Sequence, residues 1–466
     1  MFNSDIVIGL EIHVQLDTET KLFCGCSTKG NDSPNSRTCE VCLGMPGSKP
    51  KLNRKALEYA LRLCLATECD IASELIFSRK SYFYPDMAKN YQITQYELPL
   101  GSKGIIELSN NKKIRINRIH IEEDPASLVH PAGMYNSSSV LIDYNRSGNP
   151  LCELVTEPDL TSPEDAREFM KNLISILKYL KIYDINKGII KADVNVSVKE
   201  TNYTRVEIKN VTGFKEIEKA IIYEVNRQKK DPSGVVLETR SWDSENQITI
   251  SLRKKESEEE YGYIIDPDLS VCDVNKEMID LVRCNLPELA HQKISRFVKD
   301  FGIKDEDARI ICQSKELANL FEKALQDGIS SKTAVAWVRH ELNRVLNYNK
   351  KTLEDLELDE RQMLVLLNLI EDKTITENVA QKILEKLMES TFDVKKYVES
   401  EGLKSVSDDG ELEVYCKEAI EEGKKAIDDY KSGNEKAINS VVGLVMRKTR
   451  GAANPGLVLK KIKDLI

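Results

Sequence analysis

The stretch IVIGLEIHVQL, residues 6–16, decides how the front of this chain is read. Ile6, Ile8, Leu10, Ile12, Val14 and Leu16 fall on one side of a period-two pattern, and Glu11, His13 and Gln15 fall on the other. The pattern predicts a strand with one face in a core and a carboxylate and an imidazole on the opposite face. Two later stretches repeat it. In ADVNVSV, Val194, Val196 and Val198 oppose Asp193, Asn195 and Ser197. In RVEIKN, Val206 and Ile208 oppose Arg205, Glu207 and Lys209. The short segment ETNYT between these two predicts a hairpin. A fourth segment, INRIHIEED, ends in Glu122, Glu123 and Asp124.

A solvated strand face explains any one of these patterns equally well. The residue types favour more than solvation when they are taken together. Carboxylates beside an imidazole or an amide suit a divalent ion with oxygen ligands. Arginine and lysine among them suit phosphate. That combination serves phosphoryl transfer, where catalysis is mostly positioning and charge neutralisation. The chain has no Walker-type loop and no kinase Gly-rich loop, so any nucleotide is held by a different fold.

Four cysteines add a second signal. Cys24 and Cys26 lie in FCGC, Cys39 and Cys42 in CEVC, and a polar loop separates the pairs. Four thiolates close a tetrahedral shell around zinc with no open position, which describes a structural site. The other seven, Cys64, Cys69, Cys152, Cys272, Cys284, Cys312 and Cys416, read as isolated thiols. The start, MFNSDIVIG, lacks a signal-peptide pattern. The expectation is a cytoplasmic protein with reduced thiols.

The chain has 466 residues, 41% hydrophobic and 31% charged, with a formal charge of -9. No run approaches the roughly 18 apolar residues of a membrane span. The acidic balance argues against a general nucleic-acid coat, yet permits a local basic surface for one folded RNA. Short strands mix with helices up to about 290. Helical periodicity dominates 291–405, as in ENVAQKILEKLMES. The polar stretch SVSDDGELE from about 406 reads as a linker before a helical tail. The predicted class is α+β: a mixed-sheet cradle domain (1–290) with a small four-cysteine zinc site, a helical domain (291–405) and a helical tail domain (406–466). Within the cradle, Ser162 is placed as a helix N-cap with Pro163 at N1, and Phe169, Leu173, Leu177 and Leu180 as that helix's buried face. The Tyr-, Lys- and Gln-rich stretch 79–100 is read as a connection or as the wall of a site.

These strings, together with CEVCLGMPGSKPKLNRKA, YFYPD, YQITQYELPL, DYNRSGNPLCELVTEPD, ETRSWD and AINSVVGLVMRKTRGAANPGLV, resemble the B subunit of the aspartyl/glutamyl-tRNA amidotransferase along essentially the whole chain. The resemblance implies a complex that takes tRNA mischarged with glutamate or aspartate. ATP phosphorylates the side-chain carboxylate, and ammonia displaces the phosphate to give Gln-tRNA(Gln) or Asn-tRNA(Asn). Ammonia would come from a partner amidase, the A subunit, with a small C subunit holding the pair together. By the same resemblance Glu11, His13 and Glu123 are the magnesium set, with Glu122, Asp193 and Glu207 as further candidates, and Glu207 joins Glu11, His13 and Glu123 as catalytic. Arg205, Lys209 and Asp193 would meet nucleotide or phosphate. Lys80, Lys89 and Tyr91 would line an ammonia path, and Arg447, Lys448 and Arg450 would meet tRNA. His120 and His130 are read as structural.

Two stretches depart from the family pattern. Pro125, Ala126 and Ser127 replace the usual Ala-Gly-Lys, removing a lysine. EEYGYIIDPDL lacks the usual arginine and Phe-Pro but keeps Asp266, Pro267 and Asp268. An archaeal relative serving Glu-tRNA(Gln) carries a large inserted domain, for which this length leaves no room. The rival from another class is a non-catalytic, zinc-containing tRNA-binding scaffold, which would not need the carboxylate face.

Overall fold

The computed structural model describes residues 4–466 other than 31–32, 132, 134–136, 185–187, 189, 255–260, 350–352, 354–358, 406–408 and 450. The chain divides into two units, Met1–Leu289 and Ala290–Ile466.

In chain order the strands of the first unit are β1 (Ile6–Gln15), β2 (Asp70–Ile71), β3 (Glu74–Leu75), β4 (Ser78–Ser81), β5 (Tyr91–Thr94), β6 (Gly101–Glu107), β7 (Lys113–Glu123) and β8 (Ser127–Val129). They continue as β9 (Leu141–Asp143), β10 (Pro150–Thr156), β11 (Ile190–Val198), β12 (Val206–Thr212), β13 (Glu238–Asp243), β14 (Ile248–Lys254), β15 (Gly262–Ile265) and β16 (Cys272–Asp273). Nine of them form one sheet in the order β14-β13-β12-β11-β1-β10-β7-β6-β2. The pairing of β12 with β13 is parallel and the others are antiparallel, so the sheet is mixed. β11 and β12 form the expected hairpin across residues 199–205.

The alternation read from residues 6–16 is realised. Ile8, Leu10, Ile12 and Val14 are fully buried, as are Val194, Val196, Val198, Val206 and Ile208. Helices α1 (Arg54–Ala66), α2 (Pro163–Leu180) and α3 (Phe214–Lys230) pack against this sheet. α2 starts as expected: the Ser162 hydroxyl accepts from the Asp165 N–H at 3.1 Å, Pro163 opens the first turn, and Phe169, Leu173, Leu177 and Leu180 are buried. Ser162→Ala should cost about 1 kcal/mol, read as a lower urea midpoint at unchanged slope.

The stretch 79–100 is more regular than its prolines suggest. β4 and β5 pair antiparallel, and β15 joins β4 to make a three-stranded sheet. Backbone pairing overrides Pro85 and Pro99 because both lie outside the strands. The described part of the departing stretch, from 261 on, finds a structural use here in β15 and the Asp-Pro-Asp that follows. Arg79 donates to Asp266 at 2.8 Å and to Asp268 at 2.9 Å, so the retained Asp-Pro-Asp clamps β4.

The second unit is helical. One hydrophobic cluster runs from Phe297 to Val398, and a separate one joins Leu412, Cys416, Val441, Val445, Val458 and Ile462 in the tail. The stretch expected to be a linker is partly helix: 409–413 belongs to a helix, Asp409–Glu422, and Leu412 is buried in the tail core. One apolar residue with a packing partner outweighs the polar composition around it. Among the described residues no helix is long and apolar enough to cross a membrane.

Candidate active site

The polar face of the large sheet gathers its residues by register. On β1 and β11, Glu11 lies opposite Asp193 and His13 opposite Lys191. On β10, Glu153 lies opposite His13 on one side and opposite His120 of β7 on the other. Two clusters result. Ligand atoms of His13, Glu122 and Glu153 all lie within 4.8 Å of one another, and so do those of Glu11, Asp193 and Glu207.

In the first cluster the Glu153 carboxylate is 3.4 Å from both His13 Nε2 and His120 Nε2, and Glu122 is 3.5 Å from His13. Burial works against the His13 imidazolium, but the Glu153 hydrogen bond and the charges of Glu153, Glu122 and Asp193 outweigh it and lift its pKa to about 9. Burial likewise opposes the Glu153 carboxylate, yet His120 and His13 hold it well below the usual range. In the second cluster Lys209 donates to Asp193 at 2.6 Å and lies 3.2 Å from Glu207. Asn195 donates to Glu11 at 2.9 Å, and Thr239 donates to Glu207 at 3.1 Å.

The structure brings some expected residues together and separates others. Glu123 does not join Glu11 and His13. It is the last residue of β7, and alternation turns it off the face of Glu122 and His120. Its buried carboxylate takes the Lys89 ammonium and the Ile93 N–H instead. Glu122 supplies the cluster's carboxylate. His120, expected to be structural, sits in the same cluster as His13, because residues 120 and 122 share a face. Lys209 is not free for phosphate, since two carboxylates hold it. Arg205 lies just before β12 and is exposed. Lys89 approaches the Tyr91 ring at 5.3 Å, whereas Lys80 lies over Tyr261 at 4.7 Å. In the tail Lys448 pairs with Glu418 and Glu422, Arg447 is exposed, and Arg450 lies outside the described residues.

Two site residues escaped the sequence reading. Glu153 is a lone acid inside the apolar run PLCELV, and that isolation in a buried strand was the available signal. Lys191 is the second residue of β11, opposite His13; burial, then the nearby Arg146 charge, pull its pKa down.

The four cysteines converge in the segment between β1 and α1. Cys24, Cys26, Cys39 and Cys42 present sulfurs within 4.8 Å of one another. Tetrahedral zinc with Zn–S of about 2.3 Å requires sulfurs about 3.8 Å apart, and Cys39 and Cys42 stand at 4.0 Å, so the quartet is compatible with zinc. A hydrogen bond from Cys24 and then the Cys39 N–H and the Lys21 charge draw the Cys42 thiol down to about 5 against its burial. Lys21 is fully buried and donates to the Tyr144 carbonyl at 3.2 Å, tying the thiol loop to the segment before β10.

A nine-stranded sheet bearing two carboxylate clusters and a thiol quartet defines a class: residues 6–280 match the GatB/GatE catalytic domain and residues 319–466 the GatB domain. The chain is 40% identical to the B subunit of the aspartyl/glutamyl-tRNA(Asn/Gln) amidotransferase of Carboxydothermus hydrogenoformans, covering 99% of this chain and 98% of that one. It is 41% identical to the protein of the same name from Thermodesulfovibrio yellowstonii, over 99% of both chains, and 40% identical to that from Clostridium tetani, over 98% of both. The chain belongs to the family of amidotransferase B subunits.

Proposed function

We propose that this chain is the B subunit of a tRNA-dependent amidotransferase, and that its sheet face carries the ATP-dependent activation of the Glu or Asp side chain on mischarged tRNA. The observation that carries the reading is the excess of carboxylate on one face. Glu11, Asp193 and Glu207 share one ammonium, from Lys209, and Glu122 and Glu153 face two imidazoles. Carboxylates gathered at ligand spacing, one set with an imidazole among them, suit divalent cations with oxygen ligands. The Asn195 Oδ1 beside the second cluster is buried with no hydrogen-bond partner among the described residues, a further oxygen ligand for an ion. His13, Glu122 and Glu153 would hold one magnesium and Glu11, Asp193 and Glu207 another. Bound magnesium supplies charge neutralisation for triphosphate.

The chain's own residues then orient and stabilise. A free carboxylate resists ammonia because its charge repels a nucleophile and oxide leaves poorly. Transfer of a phosphoryl group to the side chain turns that oxide into phosphate, which ammonia can displace. Lys191 has most to gain from an arriving phosphate, since it lies desolvated beside Arg146. Lys89 and Tyr91 stand at the Glu123 edge, where an ammonia path from a partner amidase would arrive. A small third protein would hold the two together. Arg447 and the lysines of the last helix, Pro455–Leu465, would contact tRNA phosphates. The quartet of thiols would hold one structural zinc. Metal analysis of the purified chain should find one zinc per chain, and Cys42→Ser should lose it together with a lower melting temperature.

The decisive experiment combines the chain with its amidase and small-subunit partners. It supplies Glu-tRNA(Gln), magnesium, γ-labelled ATP, and ammonia in place of glutamine. Amidation coupled to ATP cleavage, lost in a cluster variant that still binds tRNA, supports this reading. Equal turnover in both proteins would leave the chain a scaffold.

A further inference from the structure

Helix α1 ends in a Schellman motif that places two thiols together. The Cys69 N–H donates to the Cys64 carbonyl at 2.9 Å, and the Glu68 N–H donates to the Leu65 carbonyl at 3.2 Å. Glu68 takes the left-handed conformation at φ 57°, in the position where glycine is usual. This motif commonly closes with an apolar contact between its first and last residues. Here those residues are Cys64 and Cys69. The backbone bond also limits their spacing. Cα to carbonyl oxygen is about 2.4 Å and N to Cα about 1.5 Å, so a 2.9 Å bond keeps the two Cα atoms within about 6.8 Å. That limit does not exceed the upper end of the disulfide range, about 4.4–6.8 Å.

Strand β6 is shaped around the pair. A Cβ at Gly101 would stand 2.6 Å from the Cys64 sulfur and 3.1 Å from the Cys69 Cβ, and one at Gly104 would stand 2.5 Å from the Cys69 sulfur. Both positions have no side chain where the sulfurs need the room. Cys64 is fully buried, whereas Cys69 is 9% exposed. A hydrogen bond from Cys64, assisted by the Thr67 hydroxyl 3.4 Å away, favours the Cys69 thiolate against its burial, while burial raises Cys64.

We propose that Cys64 and Cys69 form an oxidisable dithiol, in which Cys69 is attacked by a hydroperoxide and Cys64 resolves it to an intrahelix-cap disulfide. The Cys69 thiolate attacks the outer peroxide oxygen, the O–O bond breaks, and hydroxide or alkoxide leaves with a proton as water or alcohol. The Cys64 thiol then attacks the sulfenic sulfur, the S–O bond breaks, and the displaced hydroxide leaves as water with the Cys64 proton. Two thiols are oxidised by two electrons, and one peroxide is reduced. The product staples the end of α1 to the segment entering β2. This use of Cys64 and Cys69 is independent of the carboxylate face.

Trypsin makes the test direct, because the peptide Leu63–Arg79 holds both cysteines and no other. Reduced full-length chain is treated with hydrogen peroxide, denatured, alkylated with iodoacetamide and digested. The expected product is peptide 63–79 lighter by two hydrogens and unalkylated, with both thiols recovered after dithiothreitol. In Cys64→Ala the sulfenic acid should persist and be trapped by dimedone on Cys69. Exposed Cys284 is the internal control for the oxidant dose. Two alkylated thiols in peptide 63–79 at a dose that oxidises Cys284 would overturn the proposal. So would a Cys69–Cys152 crosslink, or a dimedone adduct missing from the alanine variant.

Discussion

Glu153→Gln is expected to lower ammonia-driven amidation by about 10²–10³-fold in the assembled complex while leaving tRNA affinity unchanged. Glu153 lies 3.4 Å from both histidines of the sheet face, closer than Glu122, which lies 3.5 Å from His13 and 3.7 Å from His120. Glu153 also lies 3.8 Å from Arg118. The amide keeps the size and loses the charge, so the two imidazoles lose the nearer of their two counter-charges and keep Glu122. The group His13, Glu122 and Glu153, proposed above to hold magnesium, loses one of its two carboxylates. Turnover with saturating ATP and ammonia reads the first effect, and manganese binding followed by electron paramagnetic resonance reads the second. Wild-type turnover in this variant would move the chemistry away from this cluster. The same cluster should bind metal in a pH-dependent way. With a pKa raised from 6.5 to about 9, metal-free His13 is protonated at neutral pH and must release that proton to a metal. Apparent manganese affinity should therefore rise by about tenfold per pH unit between pH 6.5 and 9. The stability carried by the imidazolium has the opposite sign. It is complete below pH 6.5 and is lost as pH rises through about 9, so the metal-free chain should melt lower at the alkaline end.

Lys89→Met is expected to destabilise the first unit by about 3–5 kcal/mol, the largest stability loss among these substitutions. Lys89 and Glu123 are both almost wholly buried, and the ammonium is the charge that neutralises Glu123. Methionine keeps most of the stem volume and removes the cation, which leaves a carboxylate in a poor solvent beside the Ile93 N–H. Chemical denaturation checks the size of the loss. The double substitution Lys89→Met with Glu123→Gln should recover most of it, because the uncompensated charge is then gone. If the single variant unfolds at the wild-type midpoint, the pair is not holding a buried charge. Loss of activity in the stable double variant would then report on the path at this edge, separate from folding.

Much of the architecture is legible in local pattern. Alternation in residues 6–16, 192–198 and 205–210 states which side chains enter the core. Serine, proline and two acids at 162–165 state where α2 begins. The spacing of Cys24, Cys26, Cys39 and Cys42 states that four sulfurs converge. The family strings extended this reading to the whole chain, and the matched domains agree with them. These features are short-range, and short-range pattern is what a sequence writes directly.

Which acids meet is a different matter, because it depends on registers between strands far apart in the chain. His13 of β1 meets Glu153 and then His120 only because three strands align at those positions. A slip of one residue would exchange Glu122 for Glu123 on the face. The sequence offered both, and the register of β7 against β10 placed Glu122 in the cluster and gave Glu123 to Lys89. The same holds for Lys209, which looked like a phosphate contact until β11 brought Asp193 within 2.6 Å of it. The residue types and the faces were therefore set by the sequence itself, through the two-residue period of an extended chain. Their pairing into clusters was set by tertiary structure, through hydrogen-bonded registers that no local pattern encodes.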